Sequence, residues 1–293
     1  MSIFHGLSAF PITPANEHGV VDTEGVMRLT AHLSVKGVDS IGLLGSTGTY
    51  AYLSRTERCR AIRAAVKTTP LIVGIGTLRT DDAQNLARDA AAEGADGLLM
   101  APVSYTPLTQ EEAYQHYKAV AEVTSLPLCI YNNPSTTHFS FSRDLLEQLA
   151  DLPNIAAVKM PAPTEGTVAQ ELAALRSSPV GKLAIGYSGD WIAAEALLAG
   201  SDGWFSVLGG FLPKLAKAMV TAAHESDARA VNQYQQVLEP MWALFREFGS
   251  LRVAYAAINL LELSSAQPPR PILPLTSQDR RRVEEALKAC TAL

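Results

Sequence analysis

Short apolar runs alternate along the chain with longer segments in which apolar residues recur at helical spacing. Eight of the short runs are apolar almost throughout rather than at every second position, which is typical of parallel strands buried on both faces. These predicted strands are residues 6–11, 40–44, 71–75, 97–101, 126–131, 156–160, 182–185 and 203–207. The pattern therefore predicts a parallel sheet whose strands are connected by helices.

The segments between the strands carry helix signals at both ends. Ser54 and Glu57 form a capping-box pattern, and Gly37, Gly94 and Gly200 follow helical segments where a helix end favours glycine. Predicted helices between strands include residues 22–36, 54–67, 81–93, 110–123 and 142–150. Eight strand–helix units predict an α/β fold, namely a closed (β/α)8 TIM barrel. A doubly wound open sheet is the alternative, but it does not normally need eight such units.

The chain after the eighth predicted strand is helical in pattern and contains no further strand. Residues 211–292 can supply the last barrel helix and about three more helices. We predict that residues 1–225 form the barrel and that residues 226–293 form a C-terminal helical extension of the same domain.

Composition and charge exclude several classes of protein. The 293 residues are 47% hydrophobic and 18% charged, with a formal net charge of −5, so the chain is not of the disordered kind. Without a Lys/Arg-rich run or a long apolar stretch, we expect no nucleic acid and no membrane as partner. No signal peptide is visible at the N-terminus. Cys59, Cys129 and Cys290 form no CxxC motif, so we expect a reduced, cytoplasmic protein.

Cofactor and metal motifs are absent from the sequence. Its six histidines are isolated from one another, and it contains neither a dinucleotide fingerprint nor a phosphate-binding loop. We therefore expect no cofactor and no metal.

Lys159 is the lysine whose position the helical pattern does not explain. Of the other seven lysines, six lie in helical segments and Lys182 follows a turn, whereas Lys159 interrupts the sixth apolar run. Because a buried ammonium is costly, this position favours the neutral amine, which can attack a ketone or aldehyde to form a Schiff base. A structural lysine neutralised by a buried carboxylate is the alternative, and position alone does not separate the two.

Two further groups lie at or just after the ends of other predicted strands. Tyr131 ends the strand before Lys159, and adjacent parallel strands lie about 4.8 Å apart, so we expect its phenol to move protons above Lys159. The turn at residues 45–48 contains Ser46 and Thr47, whose hydroxyls and backbone N–H groups suit a small anion such as a carboxylate. Packing alone also explains a tyrosine here, so the prediction depends on the combination with Lys159.

These motifs occur together in one known superfamily, in this order and at this spacing. They are Ala9-Phe10-Pro11-Ile12-Thr13-Pro14, Gly45-Ser46-Thr47-Gly48, Tyr131-Asn132-Asn133-Pro134, Val158-Lys159, Ser188-Gly189-Asp190 and Gly203-Trp204-Phe205-Ser206-Val207. With them the chain resembles the dihydrodipicolinate synthase / N-acetylneuraminate lyase superfamily over essentially its whole length. The resemblance implies a Schiff-base-forming carbon–carbon lyase of the class I aldolase type, assembled as a homotetramer (a dimer of dimers).

The resemblance also implies catalytic roles. Lys159 would form the Schiff base with pyruvate or another 2-oxo acid, and Tyr131 would donate and accept protons. Ser46 and Thr47 would hold the carboxylate of the 2-oxo acid, and Thr47 would relay protons to Tyr131.

Further residues match family positions outside this group. Tyr105 resembles the tyrosine that a neighbouring subunit contributes to the proton relay, and Phe205 matches the site where the main chain contacts the bound 2-oxo acid. Candidate contacts to the second substrate, an aldehyde or sugar acid, are Asn132, Asn133, Thr136, His138, Thr164, Gly189 and Asp190.

Two departures from the family pattern bear on the substrate. Synthases of the lysine pathway carry an arginine after the Tyr-Asn-x-Pro motif, where residues 135–138 here read Ser-Thr-Thr-His, and Thr49 replaces a usual glutamate. We therefore favour a lyase acting on a 2-keto-3-deoxy sugar acid or similar compound over a 4-hydroxy-tetrahydrodipicolinate synthase. A keto-deoxy sugar acid dehydratase and a non-catalytic sensor that binds a 2-oxo acid stay open.

Overall fold

The chain folds as a closed barrel of eight parallel strands with helices around it, as predicted. A computed structural model describes residues 2–290. Each strand pairs with the next in chain order, and the first strand closes the barrel by pairing with the eighth. The strands are β1 (Gly6–Ala9), β2 (Ser40–Leu43), β3 (Leu71–Gly74), β4 (Gly97–Met100), β5 (Leu128–Tyr131), β6 (Ile155–Met160), β7 (Ala184–Tyr187) and β8 (Gly203–Ser206).

The helices surround the barrel and then continue into a C-terminal group. They are α1 (Thr23–Val35), α2 (Arg55–Ala64), α3 (Thr80–Ala92), α4 (Gln110–Ala121), α5 (Pro134–Thr137), α6 (Arg143–Ala150), α7 (Val168–Arg176), α8 (Ala193–Leu198), α9 (Pro213–His224), α10 (Ala228–Phe248), α11 (Ser250–Leu260) and α12 (Ser277–Cys290). α9 packs beside α8, and α10, α11 and α12 form the three further helices. The domain boundary at residue 225 stays a prediction, and the end of the predicted extension lies outside the described residues.

Most predicted strand and helix ends differ from the observed ones by one to three residues, and two predictions need correction for a physical reason. The seventh strand begins at Ala184 rather than Lys182, because Pro179 opens a turn of 3-10 helix that runs to Lys182. The capping box at Ser54 is half formed. The Ser54 side chain accepts the Glu57 backbone N–H, but the Glu57 carboxylate accepts the backbone N–H of Val21 at 2.7 Å instead of closing the box.

The apolar residues form two separate clusters. The larger cluster lies between the barrel and its helices, and a small cluster that includes Phe10, Cys129, Tyr131 and Phe205 fills the barrel interior. Glycine makes room for the ring of Phe10, since a Cβ atom on Gly42 would lie 2.3 Å from Phe10 Cζ. Small residues on the inner faces of the strands therefore allow large aromatic rings to pack inside the barrel.

None of the helices among residues 2–290 is long and apolar enough to cross a membrane.

Candidate active site

Lys159 lies inside the barrel near the end of β6. Alternate residues of a strand share a face, so Lys159 points inward together with Ala157 of the inner cluster. Its side chain is 5% exposed. The Nζ atom lies 4.1 Å from the ring centroid of Phe10, 4.3 Å from that of Tyr131 and 5.6 Å from that of Phe205. The amine therefore lies beside three aromatic rings.

Tyr131 is the cross-strand neighbour of Lys159. The register of β5 and β6 pairs the two residues directly, and the prediction that they lie on adjacent strands is confirmed. The Tyr131 hydroxyl accepts a hydrogen bond from Asn133 Nδ2 at 2.9 Å and lies 3.3 Å from Ser46 Oγ. These two partners fix the phenol, and Ser46 rather than Thr47 is at hydrogen-bond distance from it.

The turn after β2 brings Ser46 and Thr47 to the same place. Leu44 and Thr49, on either side of the turn, have left-handed backbone conformations with φ of 57° and 55°. Such values are unusual for non-glycine residues and, for a β-branched residue such as Thr49, mark strain of the kind found at functional sites. The Thr49 backbone N–H donates to the Ser46 carbonyl at 3.1 Å and closes the turn.

These groups open into a cavity of about 340 Å³. It is lined by Phe10, Ser46, Thr47, Tyr131, Asn133, Ser135, Thr136, Lys159, Ser188, Gly189, Asp190, Trp191, Phe205, Val207, Phe245, Gly249, Ser250 and Leu251. This volume is at the lower end of the range for small-molecule sites.

Two parts of the lining differ in origin. The "lysine wall" consists of Lys159, its three neighbouring rings (Phe10, Tyr131 and Phe205) and Ser46, and it is carried by strands or by residues close to them. The "loop wall" consists of Ser135, Thr136, Trp191, Ser250 and Leu251, which lie on short helical turns after the strands and at the start of α11.

Asp190 is the one carboxylate in the lining. Its side chain is 2% exposed and accepts hydrogen bonds from Ser206 Oγ at 2.6 Å, the Val207 N–H at 3.2 Å and the Leu208 N–H at 3.3 Å. Burial raises the pKa of Asp190, against the opposing effect of these hydrogen bonds and of the Lys159 charge. Its oxygens therefore hold the chain after β8.

The structure brings most of the predicted site residues together. Ser46, Thr47, Tyr131, Lys159, Phe205 and Gly189 all line the cavity. Tyr105 does not, since it lies after β4 with 95% of its side chain exposed. Their roles in binding and catalysis stay predictions.

Among the expected contacts to a second substrate, Asn133, Thr136 and Asp190 line the cavity. Asn132 is buried outside it, with Nδ2 at 3.8 Å from Met160 Sδ, and both His138 and Thr164 are exposed to solvent.

Sequence reasoning missed the contribution of the helical extension. Phe245, Ser250 and Leu251 line the cavity, although the extension was expected only to pack on the barrel. Gly249 carried a usable signal, because glycine with a positive φ (79°) separates two helices here and turns the chain towards the site.

Within residues 2–290, no group of three or more His, Cys, Asp or Glu side chains is arranged to hold a metal ion.

Comparison with known proteins places this chain in one family. The profile of the Dihydrodipicolinate synthetase family matches residues 3–290. A 4-hydroxy-tetrahydrodipicolinate synthase of Neisseria meningitidis serogroup B is 32% identical over 282 residues, covering 95% of this chain and 96% of the relative. One from Moorella thermoacetica is 32% identical, covering 94% of this chain and 95% of the relative.

Solved structures with a similar fold are also named as dihydrodipicolinate synthases. A dihydrodipicolinate synthase from Agrobacterium tumefaciens has a TM-score of 0.97 and 57% identity, with 99% of each chain covered. A chloride-inhibited dihydrodipicolinate synthase from Acinetobacter baumannii, complexed with pyruvate, has a TM-score of 0.88 and 28% identity, with both chains fully covered. The chain therefore belongs to the dihydrodipicolinate synthetase family and is a carbon–carbon lyase of the class I aldolase type.

Proposed function

We propose that the protein makes or cleaves a carbon–carbon bond through an imine between Lys159 and pyruvate or a related 2-oxo acid. The observation that carries this proposal is the burial of Lys159 Nζ in the cavity directly beside Tyr131. A lysine amine is the nucleophile in imine formation, and a phenol beside it can transfer the protons. The pyruvate complex of the structurally similar Acinetobacter protein supports the choice of first substrate.

The reaction follows from the chemistry of an iminium ion. The amine adds to C2 of the 2-oxo acid and water leaves, so a protonated imine forms. In the cleavage direction Tyr131 takes the proton of the C4 hydroxyl, the bond between C3 and C4 breaks, and an aldehyde departs. The remaining enamine is protonated at C3 and hydrolysed to pyruvate. Condensation is the reverse, and Ser46 and Thr47 bind the carboxylate throughout.

The full exposure of Tyr105 supports a role in another subunit. In the proposed homotetramer, a dimer of dimers, Tyr105 enters the proton relay of its neighbour. Mixing inactive Lys159→Ala and Tyr105→Phe subunits tests this, because a mixed dimer regains one site with both residues intact. Native mass spectrometry verifies that the subunits have exchanged. If activity does not recover in the exchanged protein, Tyr105 does not act in the site of a neighbouring subunit.

We further propose a cytoplasmic location. Cys59, Cys129 and Cys290 are all unpaired, which suits a reducing compartment.

A second candidate is the 4-hydroxy-tetrahydrodipicolinate synthase reaction, which the names of the curated relatives favour. It uses the same imine with pyruvate and a particular aldehyde, so it shares the first step of the proposed mechanism.

Borohydride trapping tests the shared step. Incubation with pyruvate and borohydride should add one reduced pyruvyl group, located on Lys159 by peptide mapping. Lys159→Ala should lose the adduct. Lys182→Ala, which removes an exposed lysine paired with Asp151, should keep it. Absence of an adduct from the folded protein, or its location elsewhere, would contradict the proposal.

A further inference from the structure

A second polar cavity lies along α11, the helix whose first residues line the candidate active site. Ser250 and Leu251, at the start of α11, belong to the loop wall. Arg252 and Tyr255 on the same helix line a separate cavity of about 220 Å³, which we call the α11–α12 cavity. The chain before α12 and the first turn of α12, up to Arg280, complete its lining. A ligand in this second cavity therefore contacts a helix that also shapes the first one.

The α11–α12 cavity differs in charge from the rest of the molecule. The whole chain carries a formal net charge of −5, whereas the lining of this cavity contains Arg252 and Arg280 and no Asp or Glu. Two cations that share a small cavity repel each other, and an anion placed between them relieves that repulsion. The lining therefore favours an anionic ligand.

Neither guanidinium is neutralised by another side chain within residues 2–290. Arg252 donates from Nη1 to the Phe248 carbonyl at 3.1 Å and forms no ion pair, and the Arg280 side chain forms neither a hydrogen bond nor an ion pair. Glu284, one turn along α12, is hydrogen-bonded to Lys288 at 2.6 Å, and this bond, together with the weaker effect of the Arg280 charge, lowers the pKa of Glu284. Both arginines therefore keep N–H groups that match the oxygens of a phosphate or carboxylate.

The polar residues beside the arginines are held in place by the chain itself. Asn259 Nδ2 donates to the carbonyls of Ser264 and Ala266 at 2.8 and 3.0 Å, and Gln267 Nε2 donates to Asn259 Oδ1 at 2.9 Å. These bonds fix the segment that faces α11, so a ligand loses little free energy in ordering this part of the cavity. Because the cavity is smaller than the roughly 300 Å³ at which ordinary small-molecule sites begin, it suits a compact ion.

Tyr255 connects this cavity with the turn after β2. It is 3% exposed, and its side chain contacts that of Thr49. Thr49 closes the turn that carries Ser46 and Thr47. The α11–α12 cavity therefore adjoins both the loop wall and the turn that we expect to bind the 2-oxo acid carboxylate.

We propose that the α11–α12 cavity binds a small oxyanion with two negative charges, namely a phosphate group that is free or carried by a small metabolite. Arg252 and Arg280 bind its oxygens, and Ser277 adds a hydroxyl donor. Because the site exists only in the folded chain, the bound ion stabilises the extension that carries Ser250 and Leu251 of the loop wall. Phosphate binding at this site does not require the imine mechanism.

Titration calorimetry of the full chain with inorganic phosphate, at constant ionic strength, tests the site. We expect one saturable site per chain. Arg280→Gln removes one cation from the cavity and should weaken phosphate binding by about tenfold or more. Arg281→Gln removes the same charge at the next, exposed position of α12, outside the cavity, and should bind phosphate like the wild type. No saturable binding, or equal weakening in the two variants, would overturn the proposal.

The same titration with saturating pyruvate separates the two cavities. Phosphate affinity should stay unchanged, because Ser46 and Thr47 line the active cavity and not the α11–α12 cavity. Loss of phosphate binding in the presence of pyruvate would show that phosphate occupies the active cavity and would overturn the proposal. A titration with glycerol 3-phosphate then identifies the source of the group, since tighter binding than that of inorganic phosphate indicates a phosphorylated metabolite and weaker binding indicates the free ion.

Hydrogen–deuterium exchange locates the bound ion. With inorganic phosphate at about ten times its Kd, amides of residues 250–260 and 267–280 should exchange up to about tenfold more slowly, because local opening then requires release of the ion. Residues 80–121, which include α3 and α4, should exchange as before, and Arg280→Gln should lose most of the protection at the same phosphate concentration. Absence of protection, or protection confined to residues 45–49 and 131–137, would contradict binding in the α11–α12 cavity.

Discussion

The lysine wall and the loop wall of the cavity are built in different ways. Lys159 and Tyr131 lie on neighbouring strands whose register places them side by side, and the rings of Phe10 and Phe205 enclose the amine. Ser135, Trp191 and Leu251 instead lie on separate turns and on the extension, which adjoin only in the folded chain. The strands therefore fix Lys159 and Tyr131, while the connections after the strands and the start of α11 shape the loop wall.

Removing the amine should have the largest effect. Lys159→Ala deletes the nucleophile, and we expect turnover to fall at least about 10³-fold. Circular dichroism and thermal melting check that the barrel is retained, and Lys182→Ala is the matched control with turnover unchanged. Wild-type turnover in folded Lys159→Ala would contradict the account.

Tyr131→Phe should have the next largest effect. It removes the hydroxyl held by Asn133 and Ser46, so proton transfer should slow about 10²-fold or more in kcat. Pyruvate should still be trapped on Lys159, because the amine is intact. Tyr114→Phe, on α4 outside the cavity, should be neutral. Loss of trapping together with turnover would show that the hydroxyl is needed for imine formation itself and not only for the later proton transfer.

Substitutions in the loop wall and in the lysine wall should change the KM values of different substrates. Trp191→Ala should raise KM for the second substrate about tenfold and leave KM for pyruvate near its wild-type value, since apolar contact to that substrate is lost. Ser46→Ala should raise KM for pyruvate and leave KM for the second substrate near its wild-type value. Equal effects of Trp191→Ala on both constants would show that the walls do not act separately.

The smallest effect should come from a substitution that overpacks the lysine wall at Phe10, and it should appear in the free energy of unfolding. Gly42→Ala places a methyl group 2.3 Å from Phe10 Cζ, so the ring must move, and overpacking should cost about 1–3 kcal/mol of unfolding free energy. Phe10→Leu in the same chain should recover part of this loss by making room. Urea unfolding measures both. An undiminished free energy of unfolding in Gly42→Ala would show that Phe10 repacks freely.

The difference between the strands and the connections that follow them also explains which features could be predicted from the sequence. Apolar runs and helix caps indicated all eight strands because burial on both faces leaves a strong local signal. Lys159 was recognisable because a charge interrupted such a run. Phe245 and Ser250 were missed because their place in the cavity depends on how α10 and α11 pack, which no local pattern encodes. Lys182 was misplaced because a turn of 3-10 helix after Pro179 reads like the start of a strand.

A crystal structure of the protein soaked with pyruvate tests the central claim most directly. The account predicts continuous density from Lys159 Nζ to C2 of pyruvate, with the carboxylate at Ser46 and Thr47 and the Tyr131 hydroxyl beside the new bond. Pyruvate bound without a covalent link to Lys159, or bound outside this cavity, would contradict it.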